Sequence, residues 1–293
     1  TLDRSSAASD VYKRQAFALM GRHLNALPDP DQAIFYTSGR ASNEAAFLYQ
    51  LFVREYGTNN FPDCSNMCHE PSGSGMRPQV GVGKGTVTLE DFEHADAILI
   101  FGQNPGTNHP RMLGELRHAA KRGARIMSFN PMRERGLERF ADPQAKIEMA
   151  TNSSTPISSH YFQLRVGGDF ALVKGMMKYL VECEDAGEQV IDHTFIAEHT
   201  TGFGDVVEDL RAESWALLEQ ESGLSIEQIR TAAEVYKNAE RTIACWGMGI
   251  TQHPHSVATI QMIGNLLLMR GNIGREGAGP VSYTHLTLPT SDL

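Results

Sequence analysis

The sequence predicts an α/β protein built on a doubly wound parallel sheet. Three short apolar runs, at residues 97–101, 124–129 and 242–246, have the length and continuity of strands that are buried on both faces. Helical patterns occur between them, for example over residues 111–122 and 170–181. Strands that alternate with helices in this way favour parallel β-α units that share one sheet.

Local signals predict the remaining elements. Gly57 is placed to end a helix that starts near Ser42, and Pro71 suits the first turn of another helix. Ser225 and Gln228 form a capping-box pattern. These signals and the apolar periodicity predict strands at residues 33–36 and 161–166, helices at 42–56, 89–95, 225–239 and 256–268, and short helices within 192–220. The pattern weakens between residues 136 and 159, where TNSSTPISS is predicted to be a surface connection.

Both ends of the chain lack the periodicity of their neighbours. They resemble translated sequencing-adapter read-through, so we expect residues 1–15 to be a non-native leader and residues 281–293 a non-native tail. The remainder is expected to be an internal fragment of a longer protein. We predict that residues 16–61 are part of one α/β domain and that residues 62–280 form a second, Rossmann-like domain.

Composition excludes several classes of protein. The chain has 293 residues, 41% of them hydrophobic, and a net charge of -9, which disfavours a nucleic-acid surface. No apolar run is long enough to span a bilayer. The 4 cysteines are too sparse for a disulfide framework and indicate a reducing compartment, so a cytoplasmic location is predicted.

Four loops rich in Gly, Asn, Gln and Thr follow the predicted strands. They read TSGR, GQNPGTN, FNP and GMGITQ. In a doubly wound sheet, ligands bind beyond the carboxyl ends of the strands, so these loops are expected to meet at one edge and to offer amides to a large polar ligand. No G-x-G-x-x-G follows any of the strands with an acidic residue at the right distance, which argues against NAD bound in the usual way.

Cys68 and His69 lie where a helix is predicted to begin. A thiolate near a helix N-terminus is stabilised by the helix dipole and is suited to a soft metal. The alternatives are a structural cysteine in a polar loop, or half of a zinc site made by Cys64, Cys68 and His69, for which His253 and His255 are weak partners. The segment GVGKGT lacks the full phosphate-loop pattern, so an ATPase is rejected.

Five stretches together resemble successive signatures of the molybdopterin oxidoreductases, in the branch of the formate dehydrogenase alpha subunit. They are SGRASNEAAF, GTNNFPDCSNMCHEPSGSGM, ILIFGQNPGTNHPRM, GGDFALVKGM and CWGMGITQHPHSVATIQMIGNLLLMRGNIGREGAG, and the likeness covers residues 30–280 in order. The resemblance implies the domain fold of that family and a pair of molybdopterin guanine dinucleotides that carry molybdenum or tungsten. It also implies that a [4Fe-4S] cluster can be bound by an N-terminal segment outside this chain.

The resemblance assigns roles to particular residues. Cys68 is implied to ligate the metal, and His69 to accept or relay a proton. Glu44 also fits a simpler role, as a partner of the helix dipole. The residues implied to hold the cofactor are Arg40, Asn43, Glu44, Gly102, Asn104, Pro105, Asn108, Asn130, Pro131, Gly167, Asp169, Gly247, Met248, Gly249, Thr251 and Gln252.

The activity implied by the resemblance is oxidation of formate to carbon dioxide by two electrons. A related branch would reduce nitrate or S- and N-oxides, and a non-catalytic dinucleotide-binding module is the remaining alternative. The expected partners are a small substrate, formate or a small oxyanion, and an electron acceptor that the sequence does not identify.

Overall fold

The computed structural model describes residues 2–37, 41–62 and 68–282. The chain divides into two compact units, Thr1–Met67 and Cys68–Leu293. This division falls a few residues after the domain boundary predicted between residues 61 and 62. Within the described ranges, no helix is long and apolar enough to cross a membrane.

The described residues of the first unit form two α-helices, α1 (Leu2–Asn25) and α2 (Asn43–Tyr56), and a 3-10 turn at Pro30–Gln32. Helix α1 continues through most of the segment predicted to be a non-native leader. The Ser42 side chain accepts a hydrogen bond from the backbone N–H of Ala45 at 3.2 Å, and Gly57 ends α2 in the left-handed conformation, with φ of 104°. The predicted helix at residues 42–56 is therefore confirmed, together with its caps.

The strand predicted at residues 33–36 is wrong. Phe35 donates its backbone N–H to the Asn60 carbonyl at 2.9 Å, but the described part of this unit contains no strand for it to pair with. Phe35 instead packs its ring against Tyr49 and Tyr56. A short apolar run forms a strand only where a neighbouring strand completes the ladder. The TSGR loop therefore does not follow a strand of the parallel sheet.

The second unit contains a five-stranded sheet with helices on both faces. Its strands are β1 (Ala97–Phe101), β2 (Arg125–Phe129), β5 (His160–Phe162), β6 (Thr242–Trp246) and β7 (Gly279–Ser282), and β3 (Arg139–Phe140) pairs with β4 (Thr155–Pro156) in a separate antiparallel ribbon. The longer helices are α3 (Glu70–Val80), α5 (Met112–Arg122), α8 (Asp169–Asp185), α10 (Phe203–Ala212), α11 (Trp215–Ser222), α12 (Ile226–Lys237) and α14 (Ser256–Leu268). The short helices are α4 (Pro105–Asn108), α6 (Arg135–Glu138), α7 (Lys146–Thr151), α9 (His193–His199) and α13 (Met248–Thr251), with a 3-10 turn at Glu90–Glu93.

The strand order in the main sheet is β5-β2-β1-β6-β7, and every neighbouring pair is parallel. The chain starts in the middle at β1, moves outward through β2 to β5, then crosses back to β6 and continues to β7. The predicted doubly wound parallel sheet is therefore confirmed. Its direction of winding reverses between β1 and β6, and this reversal is the switch point at which such sheets bind ligands.

Alternate residues of the central strands face two separate apolar layers. Leu99 and Phe101 pack with helices α8, α12 and α14, whereas Ile98 and Ile100 face the layer that contains Leu116 of α5. All five side chains of β1 are fully buried. Burial on both faces explains why these strands are continuous apolar runs rather than alternating ones.

Other elements differ from the prediction in detail. The predicted surface connection TNSSTPISS contains β4, which pairs with β3, and the weakly patterned residues before it contain α7 and the end of α6. The sequence analysis missed β7, which pairs with β6 and runs past Pro280 into the predicted tail. The capping box of Ser225 and Gln228 is present, as predicted.

Candidate functional site

The backbones that follow β1 and β6 cross in direct contact at the switch point. Gly247 donates its N–H to the Phe101 carbonyl at 3.1 Å, and Gly249 donates to the Gly102 carbonyl at 3.0 Å. A Cβ atom on Gly102 would lie 2.9 Å from the Gly249 Cα, and one on Gly249 would lie 2.7 Å from the Gly102 oxygen. Only glycine fits this crossing, so the sequence keeps the ligand-binding edge free of side chains where the two loops meet.

Three buried polar atoms near this edge have no hydrogen-bond partner in the described part of the chain. They are Gln103 Oε1, after β1; Thr251 Oγ1, after β6; and Asp169 Oδ1, after β5. The three residues are 4%, 4% and 8% exposed. A buried polar group without a partner costs about 1–3 kcal/mol, so three of them on loops of one edge indicate that a polar ligand completes their bonding.

Asp169 is the first residue of α8, and its carboxyl is enclosed by protein. Burial raises its pKa to about 7, against the smaller lowering effect of a hydrogen bond from its own backbone N–H. No cation pairs with it in the described ranges. A carboxyl that is buried without a cation is suited to accept hydrogen bonds from the N–H groups of a ligand.

The loops after β1 and β2 are joined to each other. The Asn104 side chain accepts from the Thr107 N–H at 3.2 Å and donates from Nδ2 to Glu134 Oε2 at 2.6 Å. Asn130 donates from Nδ2 to the Gln103 carbonyl at 3.4 Å. Pro105 is buried at the start of α4, which ends at Asn108, whereas Pro131 is exposed.

Cys68 and His69 lie directly before α3, and the Cys68 thiol is 3.8 Å from the Met248 sulfur. This contact places the cysteine beside the loop that follows β6. The predicted helix start is confirmed, because α3 begins at Glu70 with Pro71 in its first turn. A metal bound by Cys68 would thus lie next to the switch point.

A buried hydrogen-bonded chain orients the His69 ring. Trp246, the last residue of β6, donates its Nε1–H to Ser72 Oγ at 2.9 Å, and that oxygen is 3.3 Å from His69 Nδ1. Ser72 is 1% exposed. The Ser72 hydroxyl thus holds the His69 ring from its Nδ1 side.

Gly167 and His253 meet near the β5 side of the edge. Gly167 has φ of +84°, and a Cβ atom on it would collide with the His253 imidazole. His253, which the sequence analysis considered only as a weak partner in a zinc site, packs half-buried against this glycine. A cavity of about 340 Å³ opens beside Gly167, between Phe170 and His255.

The alternatives to a dinucleotide site gain no support from the geometry. Across the described ranges, no three His, Cys, Asp or Glu side chains cluster as a metal site would require, although Cys64 lies outside those ranges. The GVGKGT segment follows a helix and hydrogen-bonds to β7 through the Thr86 N–H, so it is not a phosphate loop. A cavity of about 1200 Å³ contacts Asp96, Arg125 and His160 at the amino ends of strands, the edge opposite the switch point.

Three of the residues implied by the resemblance, Arg40, Asn43 and Glu44, belong to the first unit. Arg40 lies outside the described residues, and Asn43 and Glu44 form the first turn of α2. The Glu44 position agrees with its alternative role beside the helix dipole. The edge collects the residues that follow β1, β2, β5 and β6, namely Gly102, Asn104, Pro105, Asn108, Asn130, Pro131, Gly167, Asp169, Gly247, Met248, Gly249, Thr251 and Gln252.

Three participants were missed by sequence reasoning. Gln103 belongs to a loop that the sequence singled out, but nothing local distinguished it from its neighbours. Glu134 lies three residues beyond the FNP loop, and its contact with Asn104 connects it with the site. Ser72 and its bond to Trp246 join segments far apart in sequence.

Comparisons with known proteins agree with this geometry. The family model described as molybdopterin oxidoreductase matches residues 14–292. Protein YdeP of Escherichia coli is 55% identical over 282 residues, which cover 93% of this chain and 37% of YdeP. The F420-dependent formate dehydrogenase subunit alpha of Methanocaldococcus jannaschii is 32% identical over 250 residues, which cover 85% of this chain and 34% of that protein.

The solved structure of acetylene hydratase from Pelobacter acetylenicus shares the fold. It superposes with a TM-score of 0.61 at 19% identity, over 90% of this chain and 33% of that chain. The chain spans little more than a third of the length of the curated relatives it matches. The family match and the relatives show that this chain belongs to the molybdopterin oxidoreductase family, and the doubly wound sheet with its cysteine beside the switch point agrees with them.

Proposed function

We propose that this chain holds a molybdopterin guanine dinucleotide at the switch point of its sheet, with Cys68 as the ligand of molybdenum or tungsten. The observation that carries the proposal is the position of Cys68, 3.8 Å from Met248 at the sheet edge that also bears the unsatisfied polar atoms. A metal whose other ligands are pterin sulfur atoms needs only one soft thiolate from the protein. This requirement fits a site without a cluster of protein ligands among the described residues.

The residues of the edge are arranged from β5 to β6 in an order that suits the guanine, ribose and phosphates of one nucleotide. Asp169 follows the outer strand β5, Asn130 follows β2, the Gly102 crossing lies between β1 and β6, and Cys68 lies beside the β6 loop. Strand spacing of about 4.8 Å makes β5 to β6 roughly 14 Å, a length suited to a nucleoside diphosphate laid across the strand ends. The Asp169 carboxyl matches the adjacent N–H donors of guanine, and the backbone at the glycine crossing allows close approach of phosphates.

We propose oxidation of formate as the reaction. Formate would lose its C–H bond, releasing carbon dioxide, one proton and two electrons. The cofactor held by Cys68 would supply the capacity to accept these two electrons. His69 would take the proton at Nε2, while Ser72 and Trp246 hold its ring in place from the Nδ1 side. The support for formate is the likeness to the formate dehydrogenase subunit and the pairing of Cys68 with His69.

The test is analysis of the full-length protein that contains this chain, produced with molybdate. Metal content, pterin fluorescence and guanine nucleotide released by acid are measured together with formate-dependent dye reduction. We expect one metal centre with guanine nucleotide in the wild type, and formate turnover reduced to background by Cys68→Ser. Cys183→Ser is the matched control, because Cys183 is buried in α8, away from the strand ends.

The outcomes separate the parts of the proposal. Metal and guanine nucleotide without formate turnover would exclude formate as the substrate, and nitrate, S-oxides and N-oxides would then be assayed. A folded wild type without metal or pterin would instead identify a non-catalytic module. Unchanged metal content and turnover in Cys68→Ser would overturn the ligand assignment.

A further inference from the structure

We infer that Glu134 binds the ribose hydroxyls of the nucleotide at the switch point. This inference rests on the proposed function and adds a recognition residue to it. Glu134 lies in the loop between β2 and α6 and is half-buried. Nothing in its local sequence marks it as a ligand-binding residue, and its role follows from what the fold brings against it.

The Glu134 carboxylate is joined to the neighbouring strand-end loop. Its Oε2 accepts a hydrogen bond from Asn104 Nδ2 at 2.6 Å. The other oxygen, Oε1, accepts no hydrogen bond from the residues that the structure describes. One oxygen therefore anchors the side chain, while the carboxylate retains lone pairs that can accept from hydroxyl groups of a ligand.

A second set of contacts holds the backbone of Glu134. Tyr161 of β5 accepts from the Glu134 N–H at 2.9 Å and donates its hydroxyl to the Met132 carbonyl at 2.7 Å. Gly136 passes so close to Gly106 that a Cβ atom on it would lie 2.8 Å from the Gly106 Cα. Asn104 of the loop after β1 thus holds the carboxylate, and Tyr161 of β5 holds the backbone, which reduces the ordering cost of binding.

The position of Glu134 suits a ribose. In doubly wound sheets an acidic side chain near the end of the second strand accepts hydrogen bonds from ribose hydroxyls. In this chain the residue directly after β2 is Asn130, and its amide is used internally, with Nδ2 bonded to the Gln103 carbonyl and Oδ1 accepting from the Met132 N–H at 3.3 Å. The Glu134 carboxylate follows β2 at this edge. It lies beside Asn104, and in the strand order it stands between the Asp169 side and the glycine crossing.

A purely structural role for Glu134 makes a different prediction. If the side chain only joined the two loops through Asn104, a glutamine would serve, because its amide oxygen can still accept from Asn104 Nδ2. If the carboxylate binds a ribose, glutamine removes the charge that strengthens those hydrogen bonds. Glu134→Gln therefore separates recognition from loop packing.

The experiment compares GDP with 2′,3′-dideoxy-GDP by calorimetry on the cofactor-free, full-length protein. We expect the wild type to bind GDP about 10-fold more tightly than the dideoxy compound, as loss of hydrogen bonds to a charged group predicts. Glu134→Gln should weaken GDP binding by about 10-fold and leave the dideoxy compound unchanged. Glu138→Gln is the matched control, since Glu138 lies four residues later and pairs with Arg133 at 2.6 Å.

Two results would overturn the inference. The first leaves the proposed function in place, and the second overturns the proposed function as well. Wild-type discrimination that persists in Glu134→Gln would exclude Glu134 as the ribose group while leaving the dinucleotide site intact. A wild type that binds neither compound, and that carries no acid-releasable guanine nucleotide when purified with its cofactor, would remove the proposed function together with the inference.

Discussion

At the scale of single residues, Asp169 is a buried carboxyl whose burial costs stability. Its carboxyl is enclosed at the start of α8, and one of its oxygens has no partner in the described ranges. Burial raises its pKa to about 7, well above the 3.8 of an exposed aspartate. A buried carboxyl without a partner destabilises the fold, so its presence supports the proposal that N–H donors of a ligand complete its hydrogen bonding.

The raised pKa makes the stability of the cofactor-free protein depend on pH. Between about pH 4 and pH 7 the folded state binds a proton that the unfolded state has lost, so stability falls as pH rises through this window. We expect Asp169→Asn to raise the free energy of unfolding above pH 7 by up to about 4 kcal/mol, and much less near pH 4. Urea titration of the cofactor-free protein at the two ends of the window measures the difference.

Asp185, the last residue of the same helix, is the control for this prediction. Its hydrogen bonds with Arg211, at 2.5 and 3.0 Å, lower its pKa, which is the opposite direction. Asp185→Asn should therefore fail to stabilise the protein above pH 7. An Asp169→Asn variant whose advantage did not grow with pH would contradict the buried, unpaired state of the carboxyl.

At the scale of elements, the site depends on the close crossing of the loops after β1 and β6. Both loops leave neighbouring parallel strands at the point where the winding reverses. Their contact is made by backbone atoms alone, because Gly102, Gly247 and Gly249 have no side chains to separate them. The three glycines thus allow the backbones of the two loops to approach each other closely.

Replacing Gly102 with alanine tests this crossing. Gly102 has φ of +53°, and the new methyl would lie 2.9 Å from Gly249, so we expect a loss of about 1–3 kcal/mol in the free energy of unfolding. Gly114→Ala is the control, because Gly114 lies inside α5 with nothing within 4 Å of its added methyl, and the change should stabilise by about 0.5–1 kcal/mol. Equal effects of the two changes would argue against a close crossing.

At the scale of the whole molecule, the two units differ in how much core they contain. In the described ranges, the buried apolar side chains of the first unit are Ala33, Phe35 and Val53. The second unit buries apolar layers on both faces of its sheet. Small cores rarely offset the conformational entropy that the chain loses on folding. The second unit is therefore expected to be far more stable by itself than the first unit.

We therefore expect residues 68–282 to fold when produced alone, whereas residues 1–67 do not. Circular dichroism should show a single cooperative thermal transition for the larger piece and no cooperative transition for the smaller one. Native-state hydrogen exchange would locate the most protected amides of the larger piece in β1, β2 and β6. A gradual melt of residues 68–282 would contradict this assignment of stability.

Much of the fold was predictable from short segments. The apolar runs became β1, β2 and β6, and the caps at Ser42, Gly57 and Ser225 mark helix ends as expected. The strand predicted at residues 33–36 failed and β7 was missed, since both depend on whether a neighbouring strand is present. Pairing between distant segments leaves little trace in either partner alone.

The sequence by itself determined most of the helices and the central strands, and it singled out Cys68 and the strand-end loops as the candidate site. Those properties are set by residues within a turn or two of one another, through periodicity, capping and backbone freedom. Only the tertiary structure decided the strand order, the contact of Cys68 with Met248, the position of Glu134 beside Asn104 and the unpaired state of Asp169. These features arise where distant segments pack together, and burial and hydrogen bonding there are properties of the assembled edge rather than of any one segment.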